Sequence, residues 1–457
     1  MENSPGTYKI IQMSLLYRNS TGRDKVDIYH RSFSRLLELY PIVIGHRTAT
    51  DNGNAITVDK EDLEIERFYV HTENQTTVDD FNKIRYCRDQ WPLAVDTAFK
   101  ERVNNVDRLI TADVICLSDG YLIALSVSHI ITDGAGCFIL LEQWASLSKA
   151  LSESLNPVSE NIMPTRSVFF DHEIFWSQLK KYPADRHPYV EHIMQEKTFD
   201  NTKNMREQFT RMCQTGAISE TQDPLRSHVL HLSSKSIAQL SQEYASNSES
   251  EIERPLHGIQ IFYALLWQRL ITAIRAAQDP LPTYADDYPV FLNILHNIRS
   301  MVPTASYYVG NAVTGVYAPA SVKDLVEKPI IDMARHIKSH VNRVTPGAAV
   351  HLTEESFSPN SDFVLRVLST NNRPGAFIAI SNVSRLPFYS LDFGLGTPKA
   401  VLCGTKPTEG MMFWMPHGSE DNEDDDGGVD IYCGLLDSVF LLLKKDNILG
   451  KFAKFLC

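Results

Sequence analysis

The sequence predicts an α/β protein with mixed sheets and two hydrophobic cores, and three observations lead there. The chain has 457 residues, 43% hydrophobic and 22% charged, an ordinary globular composition long enough for two cores. Strand-like and helix-like runs alternate along it, without the Gly-rich strand-turn-helix of a dinucleotide fold. Between two such regions lies a different stretch, 152–226, with Pro157, Pro164, Pro183 and Pro188, many charges and few periodic apolar runs apart from 167–176. A long irregular segment in a compact protein is either functional or a linker.

Taken in order, Lys9 to Tyr17 reads as a first strand and Ile28 to Leu39 as an amphipathic helix that Pro41 ends. Residues 65–72, 84–86 and 106–117 read as short strands with polar connections. Tyr121 to Val127, rich in strand formers and unbroken by Gly or Pro, is a buried strand, and Cys137 to Leu147 carries apolar residues at helical spacing. After the irregular stretch come a strand (His228 to Leu232), a helix (Ser234 to Ala245) and a strongly apolar helix (His257 to Ala277) stopped by Asp279-Pro280. Val290 to Ile298 is a strand delivering Arg299, and Gly310 to Ala318 is another. Pro329 to Val344 is helical, with Pro329 suited to its first turn. Ala376 to Ser381 and Gly428 to Cys433 are late strands, and Leu435 to Lys444 is the last good helix. The acidic run Glu420 to Gly428 lacks the spacing of a calcium loop and reads as a solvated hairpin loop.

A formal net charge of −12 argues against a general nucleic-acid or anionic-membrane partner, because phosphate binding needs concentrated positive charge. No stretch reaches the roughly 18 consecutive apolar residues of a membrane span, and Met1-Glu-Asn-Ser-Pro lacks a signal-peptide layout, so the expected compartment is the cytosol. The seven cysteines are scattered, odd in number and never in a CxxC pair, which suits reduced thiols. Cys137 at the entry to an apolar helix reads as a small buried residue rather than a nucleophile. His336 and His340, one turn apart, have no third ligand nearby in sequence and read as a solvated face, and His187 and His192 read as loop surface.

The chemistry-bearing stretch is Ser128-His129-Ile130-Ile131-Thr132-Asp133-Gly134-Ala135-Gly136. It sits between the buried strand and the apolar helix, with Gly134 and Gly136 supplying the turn. His129 is thereby presented at a strand end. One His and one Asp four apart also describe a structural histidine in a chain with 15 of them, so the motif gains weight only from its company. That company is Asn297-Ile-Arg299, Tyr308-Val-Gly310-Asn311 and Asp392-Phe393-Gly394-Leu395-Gly396. To these add Leu39-Tyr40-Pro41 with Gly45-His46-Arg47, and Ala264-Leu-Leu-Trp267.

In this order and approximate spacing the segments resemble those of the BAHD acyltransferases, coenzyme A-dependent enzymes of plants and fungi, over about residues 10–443. Leu395 stands where the family usually has Trp, Gln268 where a basic residue commonly follows Trp267, and Val309 where Phe is usual. Asn382 falls near a family Ser-Trp pair. These departures resemble fungal members such as the trichothecene acetyltransferases. The stretch before Lys9 leaves little room for the longer N-terminal strand of the family, so the expectation is that this strand is replaced or that this start is a shortened one.

The resemblance implies two similar chloramphenicol-acetyltransferase-like lobes with an active site in a channel between them. It places an N-terminal lobe at 1–175, a crossover at 176–226 and a C-terminal lobe at 227–457. It implies an acyltransferase moving an acyl group from acyl-CoA to a hydroxyl or amine of a small-molecule acceptor of the specialised-metabolite kind, with no permanently bound cofactor and no metal, as a monomer. Removing the acceptor's proton needs a titratable group, and a neutral imidazole suits it, which selects His129 as general base. Asp133, Gly134, Arg299, Asp392, Gly394 and Gly396 are expected to support the site structurally, with Asp133 paired to Arg299 rather than orienting His129. Asn311 and Ser381 are expected near substrate or coenzyme A. A condensation-domain-like enzyme, with Ser128 in the place of that motif's first His, and a non-catalytic binding protein keeping the fold are the alternatives.

Overall fold

The computed structural model describes residues 10–22, 24–50, 53–104, 108–154, 163–164, 166–187, 190–191, 194, 223–245, 256–277, 285–302, 305–357, 377–418 and 427–456. Its strands are β1 (Ile10–Arg18), β2 (His46–Thr50), β3 (Gly53–Thr57), β4 (Phe68–Glu73), β5 (Ile110–Leu117), β6 (Gly120–Ser128), β7 (Leu225–Ser233), β8 (Pro289–Asn297), β9 (Val313–Ser321), β10 (Phe377–Asn382), β11 (Ala400–Cys403), β12 (Met411–His417), β13 (Gly428–Leu436) and β14 (Ala453–Phe455). Its helices are α1 (Val26–Leu39), α2 (Val78–Ile84), α3 (Leu93–Asn104), α4 (Gly134–Glu153), α5 (His172–Leu179), α6 (Ser234–Ala245), α7 (Gly258–Ala277), α8 (Val322–Glu327), α9 (Ile330–Val341), α10 (Pro346–Phe357), α11 (Asp437–Lys444) and α12 (Asn447–Gly450). The chain is a mixed α/β fold whose strands sort into two compact units.

The first unit gathers Met1–His172, Ser306–Ala312 and Val383–Thr405. Its five-stranded sheet runs β11-β1-β6-β5-β4, antiparallel except for the parallel β4–β5 pair. Every residue of β6 is buried, which is why its sequence reads as a continuous apolar run. Helix α1 buries Tyr29, Ser32, Phe33 and Leu36, a 3-4 spacing that lines one face. It meets α4 through Trp144, whose Nε1–H is 3.2 Å from the Tyr29 carbonyl and 3.1 Å from Ser32 Oγ, and the Ser32 and Ser148 hydroxyls bond at 2.7 Å.

The second unit gathers Glu173–Ala305, Val313–Asn382 and Lys406–Cys457. Its seven-stranded sheet runs β14-β7-β13-β12-β10-β8-β9, with β10 parallel to both neighbours and the other pairs antiparallel. Helix α7 is buried along most of its length and packs into the core with Trp267 and Trp414. Gln268, also buried, is held by carbonyls: its Nε2 donates to Leu325 O at 2.7 Å and Lys328 O at 3.1 Å. A neutral amide fits there without burying a charge.

Several expectations change. Residues 84–86 close helix α2 and its following turn; Val78 and Phe81 are buried one turn apart, and Thr77 caps the start by accepting from Asp80 N–H. The first strand of that group lies at 68–73, and α3, α10 and the β2–β3 hairpin fall where the sequence pattern shows only polar connections or no periodic run. Segments 306–312 and 383–405, assigned from sequence to the C-terminal lobe, belong to the first unit, because β11 pairs with β1 from Met13↔Cys403 to Leu16↔Ala400. Such a pairing across the whole chain leaves no local trace. His187 is buried rather than on a loop surface, and its burial pushes its pKa down to about 4, with the nearby His351 adding to the shift. His336 is half-buried, with Nε2 2.7 Å from the Pro319 carbonyl. Cys87 is disulfide-bonded, whereas Cys116, Cys137, Cys403 and Cys433 are free thiols; spacing in sequence does not reveal which cysteines meet in space. His192 and residues 419–426 of the acidic run lie outside the described residues. Among the described residues no helix is long and apolar enough to cross a membrane.

Candidate active site

In the first unit, β6 ends at Ser128 and α4 begins at Gly134, so His129 sits in the short turn between a fully buried strand and a largely buried helix. The ring itself is exposed. Its side-chain partner among the described residues is Asn311, in a segment that joins this unit from far along the chain: His129 Nδ1 lies 3.1 Å from Asn311 Oδ1. The orientation of that amide follows from its other contacts. Asn311 Nδ2 is 2.9 Å from the His129 carbonyl and 3.5 Å from that of Ile130, and carbonyls only accept. Oδ1 therefore faces the imidazole as an acceptor, Nδ1 carries the proton, and the neutral ring keeps its lone pair on Nε2.

Asp133 does a different job. It is buried and caps α4: Oδ1 accepts from Gly136 N–H at 2.9 Å and Oδ2 from Ala312 N–H at 2.7 Å. One carboxylate thus ties the helix start to the 306–312 segment, and it makes no hydrogen bond to His129. Thr132 reinforces the same seam, donating from Oγ1 to Val309 O at 2.6 Å. Gly136 is needed for the close approach, since a Cβ there would lie 1.9 Å from Val309 O and 2.0 Å from Thr132 Oγ1. At Gly134 a Cβ would come to 3.1 Å from Val383 Cγ1, a tight but softer contact. The Cys137 thiol, fully buried, has its pKa pushed far up by desolvation, the opposite of an activated nucleophile.

The Asp392–Gly396 turn belongs to the same unit and is built on one carboxylate oxygen. Asp392 Oδ1 accepts from the N–H groups of Gly394 (2.8 Å), Leu395 (3.0 Å) and Gly396 (2.8 Å), while Oδ2 pairs with Lys149 Nζ at 3.0 Å. Burial alone would raise the Asp392 pKa, but Lys149 and the turn's N–H groups more than offset it and hold the carboxyl below its ordinary value. Gly394 and Gly396 take φ of +81° and +83°, the left-handed region that a side chain resists. Phe393, just before Gly394, is completely buried, with edge contacts to Tyr17, Tyr29 and Trp144. The Tyr17 hydroxyl donates to Leu391 O at 2.9 Å.

Arg299 and Ser381 lie in the second unit. Arg299 opens a short 3-10 turn after β8, is buried, and donates from its backbone N–H to Asn297 Oδ1 at 3.0 Å. Ser381 sits on β10, opposite Leu295 of β8 and Phe413 of β12. The structure thus brings His129, Asp133, Gly134 and Asn311 together, sets Asp392, Gly394 and Gly396 in a separate turn of the same unit, paired with Lys149 towards the far end of α4, and carries Arg299 and Ser381 on separate strand ends of the other. Lys149 and Thr132 were not singled out from the sequence. A lysine at the outer end of a long helix and a threonine inside the motif give no signal until their distant partners are seen.

A family model described as the Transferase family matches residues 16–447. The chain belongs to that family. It is 29% identical over 220 residues to agmatine hydroxycinnamoyltransferase 1 of Oryza sativa subsp. japonica, a match covering 46% of this chain and 44% of the relative. It is 25% identical over 194 residues to stemmadenine O-acetyltransferase of Catharanthus roseus, covering 41% and 39%. The matches thus span under half the length of these two curated relatives. Among solved structures, F. graminearum TRI101 complexed with coenzyme A and deoxynivalenol superposes with a TM-score of 0.70, covering 98% of this chain and 96% of that one at 15% identity. That likeness establishes the two-unit mixed α/β fold.

Proposed function

We propose that this Transferase-family member is an acyl-CoA-dependent acyltransferase that acylates a hydroxyl or amine of a small-molecule acceptor, with His129 as general base. The observation that carries the reading is the imidazole itself. It is exposed at the end of a buried strand, its Nδ1–H is engaged by Asn311, and its Nε2 lone pair is left for an incoming proton. Relatives named for transfer to agmatine and for O-acetylation support both amine and hydroxyl acceptors.

In the reaction, Nε2 takes the acceptor's O–H or N–H proton as the heteroatom bonds to the thioester carbonyl carbon. The tetrahedral intermediate collapses, the C–S bond breaks, and the proton on Nε2 passes to the departing coenzyme A thiolate. The thioester is already activated, so acyl-CoA enters as a co-substrate and no covalent acyl-enzyme is needed. Asn311 acts as a positioning residue: its amide fixes the tautomer and, through two carbonyls, the turn that carries the ring. The frame made by Asp133, Thr132 and Gly136 holds that turn against movement, which matters because misplacement of a reacting group by about 1 Å can cost 10²-fold.

Thiol release from acetyl-CoA in the presence of a library of small alcohols and amines tests the reading. Acceptor-dependent release by the wild-type chain, lost in His129→Ala, supports it. Wild-type protein that binds acyl-CoA without acceptor-dependent release would favour a binding protein that keeps the fold.

A further inference from the structure

We infer that His231, His417 and Asp430 form a site for a divalent transition-metal ion of the zinc class, in the second unit and independent of His129. The sheet places the three together. Asp430 of β13 lies directly opposite His231 of β7 and Met415 of β12, and His417 follows Met415 by two, so all three side chains project from one face of adjacent strands. The other face of these strands, with Leu230, Leu232, Trp414, Val429 and Ile431, is packed into the core and fixes the backbone beneath the site.

His231 Nδ1 lies 2.9 Å from Asp430 Oδ1, and His417 Nδ1 lies 2.9 Å from Asp430 Oδ2. The two rings have centroids 4.4 Å apart, and the three ligand atoms fall within 4.8 Å of one another. The side chains are 14%, 9% and 2% exposed, so a buried carboxylate faces two imidazoles with little water to solvate it. As neutral rings both donate Nδ1–H to the ionised carboxylate. A cation would take the place of those two protons, which move to the Nε2 atoms with no net release.

Two imidazole nitrogens and one carboxylate oxygen form a donor set that suits zinc and its first-row neighbours better than calcium or magnesium, which prefer all-oxygen sites. Bond lengths of about 2.0–2.1 Å in a tetrahedron separate ligand atoms by roughly 3.3 Å, so with Oδ1 as the ligand oxygen the 2.9 Å contact to His231 Nδ1 needs to open by only about 0.4 Å, while the remaining separations, all within 4.8 Å, adjust to the same value. The fourth position is left to water or a fourth ligand. Lys454, paired in register with His231 on β14, is exposed and keeps its ammonium in solvent. The other described cluster of this kind, His46 with Asp59 and Asp62, has one imidazole and is more open, with side chains 41%, 55% and 7% exposed; it serves as an internal control.

The experiment uses the full, untagged chain stripped with a chelator and titrated with Zn²⁺ by calorimetry and with Co²⁺ by visible absorption. One equivalent of Zn²⁺ should bind, and Co²⁺ should give the intense d–d bands of a four-coordinate site. His231→Gln and His417→Gln should each weaken binding at least about 100-fold and remove the bands, while His46→Gln leaves both unchanged. Absence of stoichiometric Zn²⁺ binding, undiminished binding in the two glutamine variants, or its loss in His46→Gln would overturn the site. Weak octahedral Co²⁺ absorption in the wild type would also overturn it, without dependence on how any variant folds.

Discussion

Two turns in the first unit use an aspartate in the same way and to opposite ends. In the β6–α4 turn, Asp133 accepts two backbone N–H groups, and the frame it makes projects an exposed His129. In the Asp392–Gly396 turn, Asp392 accepts three backbone N–H groups, and the frame it makes drives Phe393 into the core. One turn spends its order on a reactive group held in solvent, the other on packing. The acidic residue of a conspicuous motif is therefore no guide to catalysis; what separates the two is whether the side chain the turn presents is exposed or buried.

The comparison breaks first at Phe393. Phe393→Ala removes a fully buried ring with three aromatic neighbours and should cost about 3–5 kcal/mol in denaturant unfolding, with acyl transfer per folded molecule changed little. A loss of turnover with unaltered unfolding would place that turn in the chemistry. A contrast between histidines comes next. His187 has its folded pKa lowered to about 4 from 6.5, so its neutral form is favoured by folding. The stability it confers is present above pH 6.5 and is lost as pH falls from 6.5 towards 4, by on the order of 3 kcal/mol. His187→Leu should flatten that part of the stability profile; an unchanged slope would mean that another group titrates there.

Asp133→Ala should destabilise by about 2–3 kcal/mol, because it strands the N–H groups of Gly136 and Ala312, and it should lower activity by loosening the turn under His129. Full stability with activity lost would instead make Asp133 a direct partner of the reaction. The smallest effect is expected at Asn311. Asn311→Leu removes the Oδ1 acceptor at the ring and the Nδ2 donor to the His129 carbonyl, so kcat should fall by about tenfold with a smaller change in unfolding than in Asp133→Ala. An unchanged kcat would mean that the amide does not position His129.

The sequence made β6, α4 and α7 legible because each is a long run of one periodicity, and it made His129 legible because a strand, a Gly turn and a helix follow one another locally. It hid what depends on distant pairing. The partner that fixes the His129 tautomer is 182 positions away, the strand that completes the first sheet comes from residues 400–403, and Lys149 meets Asp392 only in the fold. Helices α2 and α3 were missed because their polar faces outweigh short apolar ones. Burial of His187 could not be read from a segment whose prolines and charges suggested surface.

The account rests on His129 acting through Nε2 on a frame that stands without it. The most direct measurement pairs acetyl-CoA-dependent acyl transfer with thermal melting for wild type and His129→Ala. The side chain is exposed and among the described residues bonds only to Asn311, so melting should stay close to wild type while turnover falls by about 10²–10⁴-fold. Near-normal turnover in a folded His129→Ala protein would contradict the account.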